Sequence, residues 1–399
     1  MQIGLFEDKE WERLYPFTRL RPVWHLWWGM DRLSEKWQRY FGWEVVGFLP
    51  ARAFLHKAFP PVVPSAELVW INARLLPLRE ELRQWIEQLP PEKAFFTPEG
   101  TPVAFRSKRG LEELQAPWER LGSEVIPSEV PLTWLKEVTD LFELSGEVIA
   151  ADWKHLRERS SELPKTLSVR GRDNIFFHPT ARAGFAILDA ESGPIWIGPH
   201  AEIQDGAILQ HTNTIGPHTV IMLGARLRTH NSIGPYCKVG GEIGQSTFLG
   251  YSNKAHDGFL GHSVIGEWCN IGAGSNSSNL KNTYGPVRLY DPAKGALRET
   301  GLQFCGLIMG DYARCGIQTA FTTGCMVDIF ANVVGTGFTP KYIPPFWWGE
   351  GSYWRIEKAL ETARRMKSRR GQTLSPEEEE LLRYHYTQLV EVSGEKHHS

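Results

Sequence analysis

Between Ile197 and Val239 an aliphatic residue recurs at 197, 203, 209, 215, 221, 227, 233 and 239, a spacing of six. A longer period lies over it: Ile-Gly-Pro occurs at 197–199, 215–217 and 233–235, 18 apart, followed in turn by His200, His218 and Tyr236. Six residues per face and 18 per turn predict a triangular prism with three short strands per coil. One coil cannot bury its aliphatic corners alone, so coils must stack. The beat returns at Met309, Cys315, Phe321, Val327 and Val333. A sandwich would instead alternate polarity between irregular turns. Within Asn253 to Gly274, NKAHDGFLGHSVIGEWCNIGAG, the beat falters, and His256 stands where it does.

Before the prism, residues 1 to 165 alternate strand and helix signals and predict an α/β domain. LVWIN (68–72) is a buried strand, and LREELRQWIEQL (78–89) spaces Leu78, Leu82, Trp85, Ile86 and Leu89 for one helix face. FFTPEGTPVAF (95–105) is a hairpin turning at Pro-Glu-Gly. A polar link, SSELPKTLSVRGRDN (160–174), leads into the prism at 174–348, and GPVRLYDPAKGALRETG (285–301) loops out of it. The region 349–399 carries two helices, the second opening with Ser375 as N-cap, Pro376 next and acids in the first turn. These helices cover the open end of the prism or a neighbouring subunit.

Composition narrows the function classes. A net charge of −2 with 23% charged residues gives no footing for a general nucleic-acid binder. No apolar run reaches the roughly 20 residues of a membrane span, and the first residues lack the layout of a secretion signal, so a cytoplasmic location is expected. Five cysteines without a CxxC pair read as reduced, buried thiols. The 16 tryptophans, several in WHLWWG and PPFWWG, read as core or subunit-interface packing.

The prism resembles the left-handed parallel β-helix of hexapeptide-repeat proteins. His256, Phe259-Leu260-Gly261, Ile265-Gly266, Asn270-Ile271-Gly272-Ala273-Gly274 and Asn279 resemble the acetyltransferase motif of the bifunctional enzymes of UDP-N-acetylglucosamine synthesis. FTRLRP, NLKNTYG and TGLQFCGLIMGD are most similar to a divergent group of sugar nucleotidyltransferase-like proteins of that kind. The resemblance implies an α/β nucleotidyltransferase-like domain, a left-handed β-helix and a short helical tail. It also implies a homotrimer and acetyl-CoA as co-substrate for N-acetylation of an amino-sugar 1-phosphate.

Carried over position by position, His256 is the base that takes a proton from the attacking amine, a task suited to imidazole near neutral pH. Asn279 is the candidate for holding the oxyanion or the amine. Arg228 stands where a guanidinium grips the sugar phosphate, and Glu242 where a carboxylate orients the amino sugar. Phe259 and Asn270 complete the acceptor contacts. Two departures stand out: no lysine occurs between Val239 and Asn253, which leaves Lys254 or Lys281 as substitutes, and Phe259 replaces a tyrosine. The plain alternative for His256 is a loop histidine satisfied by backbone. A zinc site of the γ-carbonic-anhydrase kind fails on ligand spacing, so no metal is expected there.

The N-terminal domain departs further. Active relatives open with a glycine-rich loop that closes on nucleotide phosphates. Here the matching stretch is IGLFEDKEWERLYPFTRLRPV, with acids where the glycines belong, and INARLLP (71–77) lacks the metal-binding aspartate. Either the domain uses an altered nucleotide site around Arg13, Arg19 and Arg21, with Mg²⁺ and a nucleoside triphosphate as partners, or it keeps the fold without the reaction. The rivals to acetylation are therefore a sugar-1-phosphate nucleotidyltransferase whose β-helix only oligomerises it, and a non-catalytic trimeric scaffold.

Overall fold

Five consecutive buried residues, Leu68–Asn72, run through the middle of a mixed six-stranded sheet, as their unbroken apolar run predicts. The structure is a computed structural model describing residues 1–107, 117–126, 130–156, 158, 160–349 and 351–391; of the expected C-terminal region, 350 and 392–399 lie outside the described residues. The chain divides into two units, one of Met1–Leu14, Arg21–Leu26 and Asp31–Glu137, the other of Tyr15–Leu20, Trp27–Met30 and Val138–Ser399.

In the first unit the strands are β1 (Gln2–Phe6), β2 (Glu44–Leu49), β3 (Leu68–Asn72), β4 (Lys93–Phe96), β5 (Pro102–Ser107) and β6 (Gly122–Val125). Their order is β2-β1-β3-β5-β4-β6. Strand β1 lies parallel to both β2 and β3. The β4–β5 pair is the expected hairpin, its turn closed by Gly100 at a φ of 85°. A Cβ on Gly4 would sit 2.2 Å from the Trp70 ring, so glycine there lets the indole lie flat on the sheet. Helix α1 (Leu33–Phe41) follows β1, and α2 (Glu80–Glu87) buries Leu82 and Ile86 as the spacing predicts.

The second unit is a three-sided parallel β-solenoid. Its first paired strand, Leu167–Arg170, lies within the stretch expected as a polar link. Leu167 and Val169 turn inward against the core while Ser168 and Arg170 face out, so the segment looks polar in sequence. Every beat position from Ile197 to Val239 is buried in one continuous core, joined by Met309, Cys315, Phe321, Val327 and Val333. The excursion expected around 285–301 is an antiparallel hairpin, Arg288–Asp291 with Ala296–Glu299.

The beat does not break at His256. From Lys254 to Leu260 the step is the ordinary six. The shortfall lies at Gly240–Gly241, where Val239 to Ile243 is four residues, and at two corners of five, Ile243 to Phe248 and Leu260 to Ile265. At the full-length corners Asn213 and Asn231 fill the inside, Asn231 Nδ2 donating to Asn213 Oδ1 at 2.8 Å. At the short corners Ser246 and Ser263 take that place, each hydroxyl donating to a glycine carbonyl two residues back. A smaller filler and a preceding glycine let the chain cut the corner. The strands Glu242–Gly250 and Phe259–Glu267 consequently run across two faces without interruption.

Along another corner the ring residues stack. His200, His218, Tyr236, Tyr251, Trp268, Tyr312, Phe330 and Phe346 follow one another with centroids 4.5–6.3 Å apart and planes within 18° of parallel. All eight have positive φ. Left-handed backbone costs a non-glycine residue roughly 1–2 kcal/mol, and an aromatic pair returns about 0.5–1.5 kcal/mol, so the column offsets much of its own strain. The five cysteines are buried thiols, as expected.

Helices α3 (Asp140–Glu143) and α4 (Ser145–Lys154) precede the solenoid. Helices α5 (Ile356–Ser368) and α6 (Pro376–Tyr386) follow it; Ser375 is the expected N-cap, and with Glu378 it forms a capping box. They bury Leu360, Ala363, Leu382 and Tyr386 against Trp268, Tyr312, Phe330 and Phe346, so they cover the apolar stretch of the ring column.

The segment Tyr15–Leu20 also belongs to this second unit. Arg19 forks onto Asp328 with two contacts of 2.8 Å, its guanidinium lies 4.1 Å from the centre of the Tyr15 ring, and Tyr342 donates to Asp328 at 3.1 Å. Both charges are buried. Breaking such a pair strands a charge, so Asp328→Ala is expected to cost about 3–5 kcal/mol. The double change Arg19→Met with Asp328→Leu should recover most of it. Thermal denaturation followed by circular dichroism reads both; no recovery would show that the pair acts through something other than its charges.

Candidate functional site

One solenoid face collects Arg228, Glu242, Phe259 and Asn279, half of the residues predicted for acetyl transfer. Parallel register sets Glu242 beside Arg226 and Phe259 beside Glu242, and Asn276 Oδ1 accepts the Phe259 backbone N–H at 2.8 Å. Glu242 lies between two cations, 3.4 Å from Arg228 Nη1 and 4.0 Å from Arg226 Nε. Arg228 is 62% exposed, so this contact is loose and solvent-screened, and the guanidinium can turn to a phosphate. Gly261 makes the approach of the others possible: a Cβ there would stand 2.6 Å from the Phe259 ring and 2.8 Å from Asn279 Nδ2.

Asn279 does not reach toward His256. Its Nδ2 lies 2.9 Å from Nδ1 of His262, at the far edge of the same face. An amide N–H can only donate, so His262 Nδ1 accepts and the ring proton sits on Nε2. Phe304 stacks on the His262 ring at 5.1 Å, and Phe142 of α3 meets it edge-on at 5.9 Å. Burial, with Arg228 nearby, pushes the His262 pKa down to about 4. At neutral pH His262 is thus an uncharged hydrogen-bond donor rather than a base. Beside it Gln245 donates to Glu143 at 3.3 Å, and burial with Asp140 nearby raises that carboxyl. Sequence reasoning assigns His262 no part in acyl transfer; its one signal is the Gly-His-Ser of a shortened corner, which matches Gly-Gln-Ser at 244–246.

His256 occupies the corner that precedes Phe259, and its ring is exposed. Lys254, expected as a phosphate ligand, is instead buried, with Nζ donating to the backbone carbonyls of His256 and, at 3.4 Å, Gly240. A cation facing two main-chain oxygens inside the solenoid has no path to a phosphate outside. Asn270 lies on the adjoining face, where its Oδ1 is 3.5 Å from Asn253 Nδ2. Lys281 stands just before the 285–301 excursion and donates to Pro286 O at 2.8 Å. His200 and His218 stack face to face at 4.6 Å, which turns their nitrogens away from a common centre. Among the described residues no group of three or more His, Cys, Asp or Glu could hold a metal ion.

In the first unit two of the loop acids, Glu7 and Asp8, are buried and spoken for. Glu7 accepts from Arg52, from Val23 N at 2.9 Å and from Ala51 N at 3.2 Å. Asp8 holds Arg74, with one contact of 2.9 Å, and Asn72 Nδ2 at 2.8 Å. These residues stand at the carboxyl ends of β1 and β3, where open α/β sheets place ligands. The acids are neutralised from within rather than left to repel a triphosphate. The same pairing engages the carboxylates that a Mg²⁺ ion would need. Of the three arginines expected around a nucleotide, Arg13 is exposed and paired with Glu10 at 3.1 Å, and Arg19 is committed to Asp328. Arg21 is buried, with its carbonyl accepting from Arg52 at 3.2 Å.

The low His262 value sets a pH dependence. Unfolded histidine protonates near 6.5, whereas folded His262 stays neutral to about 4, so its contribution is whole above 6.5 and is lost as pH falls toward 4. The stability gap between the parent and His262→Gln should narrow by up to about 3 kcal/mol between pH 7 and pH 4. Denaturant titrations at both pH values measure it, and a gap that stays constant would place the ring in water.

Residues 3–161 match the family described as Sugar nucleotidyl transferase. A segment of 86 residues, 22% of this chain, is 33% identical to the Bifunctional protein GlmU of Methanocaldococcus jannaschii and covers 20% of that protein. No helix among the described residues is long and apolar enough to cross a membrane. The chain therefore joins a nucleotidyltransferase-like α/β domain to a β-solenoid and a short helical C-terminus.

Proposed function

We propose that the chain transfers an acetyl group from acetyl-CoA to the nitrogen of an amino-sugar 1-phosphate, with glucosamine-1-phosphate the first acceptor to test. The observation that carries the reading is the gathering of Arg228, Glu242, Phe259 and Asn279 on one solenoid face, which the chain enters from the corner that carries His256. Arg228 grips the phosphate and Glu242 accepts from the sugar. His256 takes the proton of the ammonium, and the freed amine attacks the thioester carbonyl. The tetrahedral oxyanion collapses by expelling the CoA thiolate, which takes up the proton that the acylated nitrogen sheds, and His256 returns its own proton to water. An uncharged donor is what an oxyanion or a sugar hydroxyl needs, and the Asn279–His262 pair offers one at the face's far edge. Phe259 lacks a hydroxyl, so it contributes ring contact alone. A homotrimer completes the reading, as expected of stacked-coil acyltransferases.

The second reading, sugar-1-phosphate nucleotidyl transfer, draws on the family match of residues 3–161. Against it stand Glu7 and Asp8, already held by Arg52 and Arg74 at the sheet's ligand edge. The test incubates the protein with acetyl-CoA and glucosamine-1-phosphate and reads the acetylated sugar by mass spectrometry, since five thiols would cloud a thiol dye. The parent should form product and His256→Ala at least about a hundredfold less, within the range of general-base contributions. Equal product from both removes His256 from the mechanism. No product, together with pyrophosphate release from UTP, Mg²⁺ and a sugar phosphate, would favour the second reading.

A further inference from the structure

The loop that carries His256 is far more tightly built than a surface turn requires. Lys254 pairs in register with Val239 and precedes Ile271 in the same stack, so it occupies a position that the solenoid elsewhere fills with an aliphatic side chain. It is 1% exposed. A charge in that setting is expensive unless it is well partnered, and the partners of this ammonium are the carbonyls of His256 and Gly240. Burial lowers its pKa to about 8, with Asp257 and Cys315 acting in the opposite direction.

Glycines close the loop from the other sides. Gly241, at a φ of 77°, would bring a Cβ within 2.5 Å of Gly258 O and 2.9 Å of His256 O. A Cβ on Gly240 would stand 2.5 Å from Ala255 O, and one on Gly258 2.0 Å from Ser275 O. The four-residue step at Gly240–Gly241 thus exists to let the neighbouring coil press on the backbone at 255–258. Three costs converge on that segment: a buried cation, a shortened coil and backbone approaches that tolerate no side chain. The segment's own product is one exposed imidazole.

We propose that Lys254 is a positioning residue for His256, its ammonium holding the His256 and Gly240 carbonyls from inside the solenoid and so fixing where the imidazole stands. This rests on His256 as the base of the acyl transfer. Core packing and the placing of the imidazole, two demands that usually coincide, come apart at Lys254. A methionine of similar length suits the core better than a buried ammonium does, so Lys254→Met should leave the melting temperature unchanged or raise it. The same change should lower kcat at least tenfold while KM for acetyl-CoA and for glucosamine-1-phosphate stays within twofold. Amide exchange should quicken at 255–258 and nowhere else.

An unchanged kcat in Lys254→Met overturns the proposal, as does a fall in kcat matched by a fall in melting temperature. If the parent itself acetylates nothing, the acyl-transfer reading fails, and the exchange measurement still decides the positioning: unaltered protection at 255–258 refutes it. Should Lys254→Met not fold, Lys254→Gln, which keeps an N–H donor of shorter reach, takes its place. An intermediate kcat is then expected, and full activity would again refute the role.

Discussion

Everything in the second unit depends on one packing constraint: each inward side chain must land on the one in the coil below. A coil buries nothing alone, so its corners cannot be moved one at a time. The shortened corner at Gly244–Ser246 is followed in the next coil by the shortened corner at Gly261–Ser263, and the two strands stay paired from Glu242 against Phe259 to Gly250 against Glu267. The five-residue corner of one coil is matched by the same corner in the next, whereas the four-residue step at Gly240–Gly241 faces a full-length step and is closed by glycines instead. Side chains outside such matched corners inherit fixed positions, which is how a face of short strands can hold Arg228, Glu242, Phe259 and Asn279 within reach of one another.

Buried charge is handled by a second rule: it is paired, or it is put to use. Arg52 with Glu7, Arg74 with Asp8 and Arg19 with Asp328 are guanidinium–carboxylate forks within their units. Lys254 is different, since its partners are carbonyl oxygens rather than a carboxylate. The contrast explains why the loop acids of the first domain, which look repulsive to a nucleotide when read as sequence, are quiet in the fold. It also explains why a lysine that looks like a phosphate ligand cannot be one.

Much of this architecture is legible along the chain because it is local. The six-residue beat, the Pro-Glu-Gly hairpin, the Ser375 cap and the Ile-Gly-Pro ring positions each need only a few neighbouring residues to be recognised. Contacts that depend on distant returns are not legible. Asn279 meets His262 after the chain has crossed another corner, and Asp8 meets Arg74 across 66 positions. Counting by sixes also misplaced the irregularity. The eye sees a histidine in an odd place, whereas the lost residues lie upstream at Gly240–Gly241, and only coil-to-coil pairing reveals that Lys254 stands in an aliphatic slot.

The ring column has a direction. From one end it reads His, His, Tyr, Tyr, Trp, Tyr, Phe, Phe, passing from side chains content in water to side chains that need cover, and α5 and α6 supply that cover at the phenylalanine end. Duplicating an 18-residue coil near His200 would add another water-tolerant ring and another set of aliphatic corners that fit those on either side. The same duplication near Phe346 would push an apolar ring beyond the helices that shield it. The solenoid is therefore extensible at one end and closed at the other, so lineages that lengthen it should do so by inserting coils near its beginning.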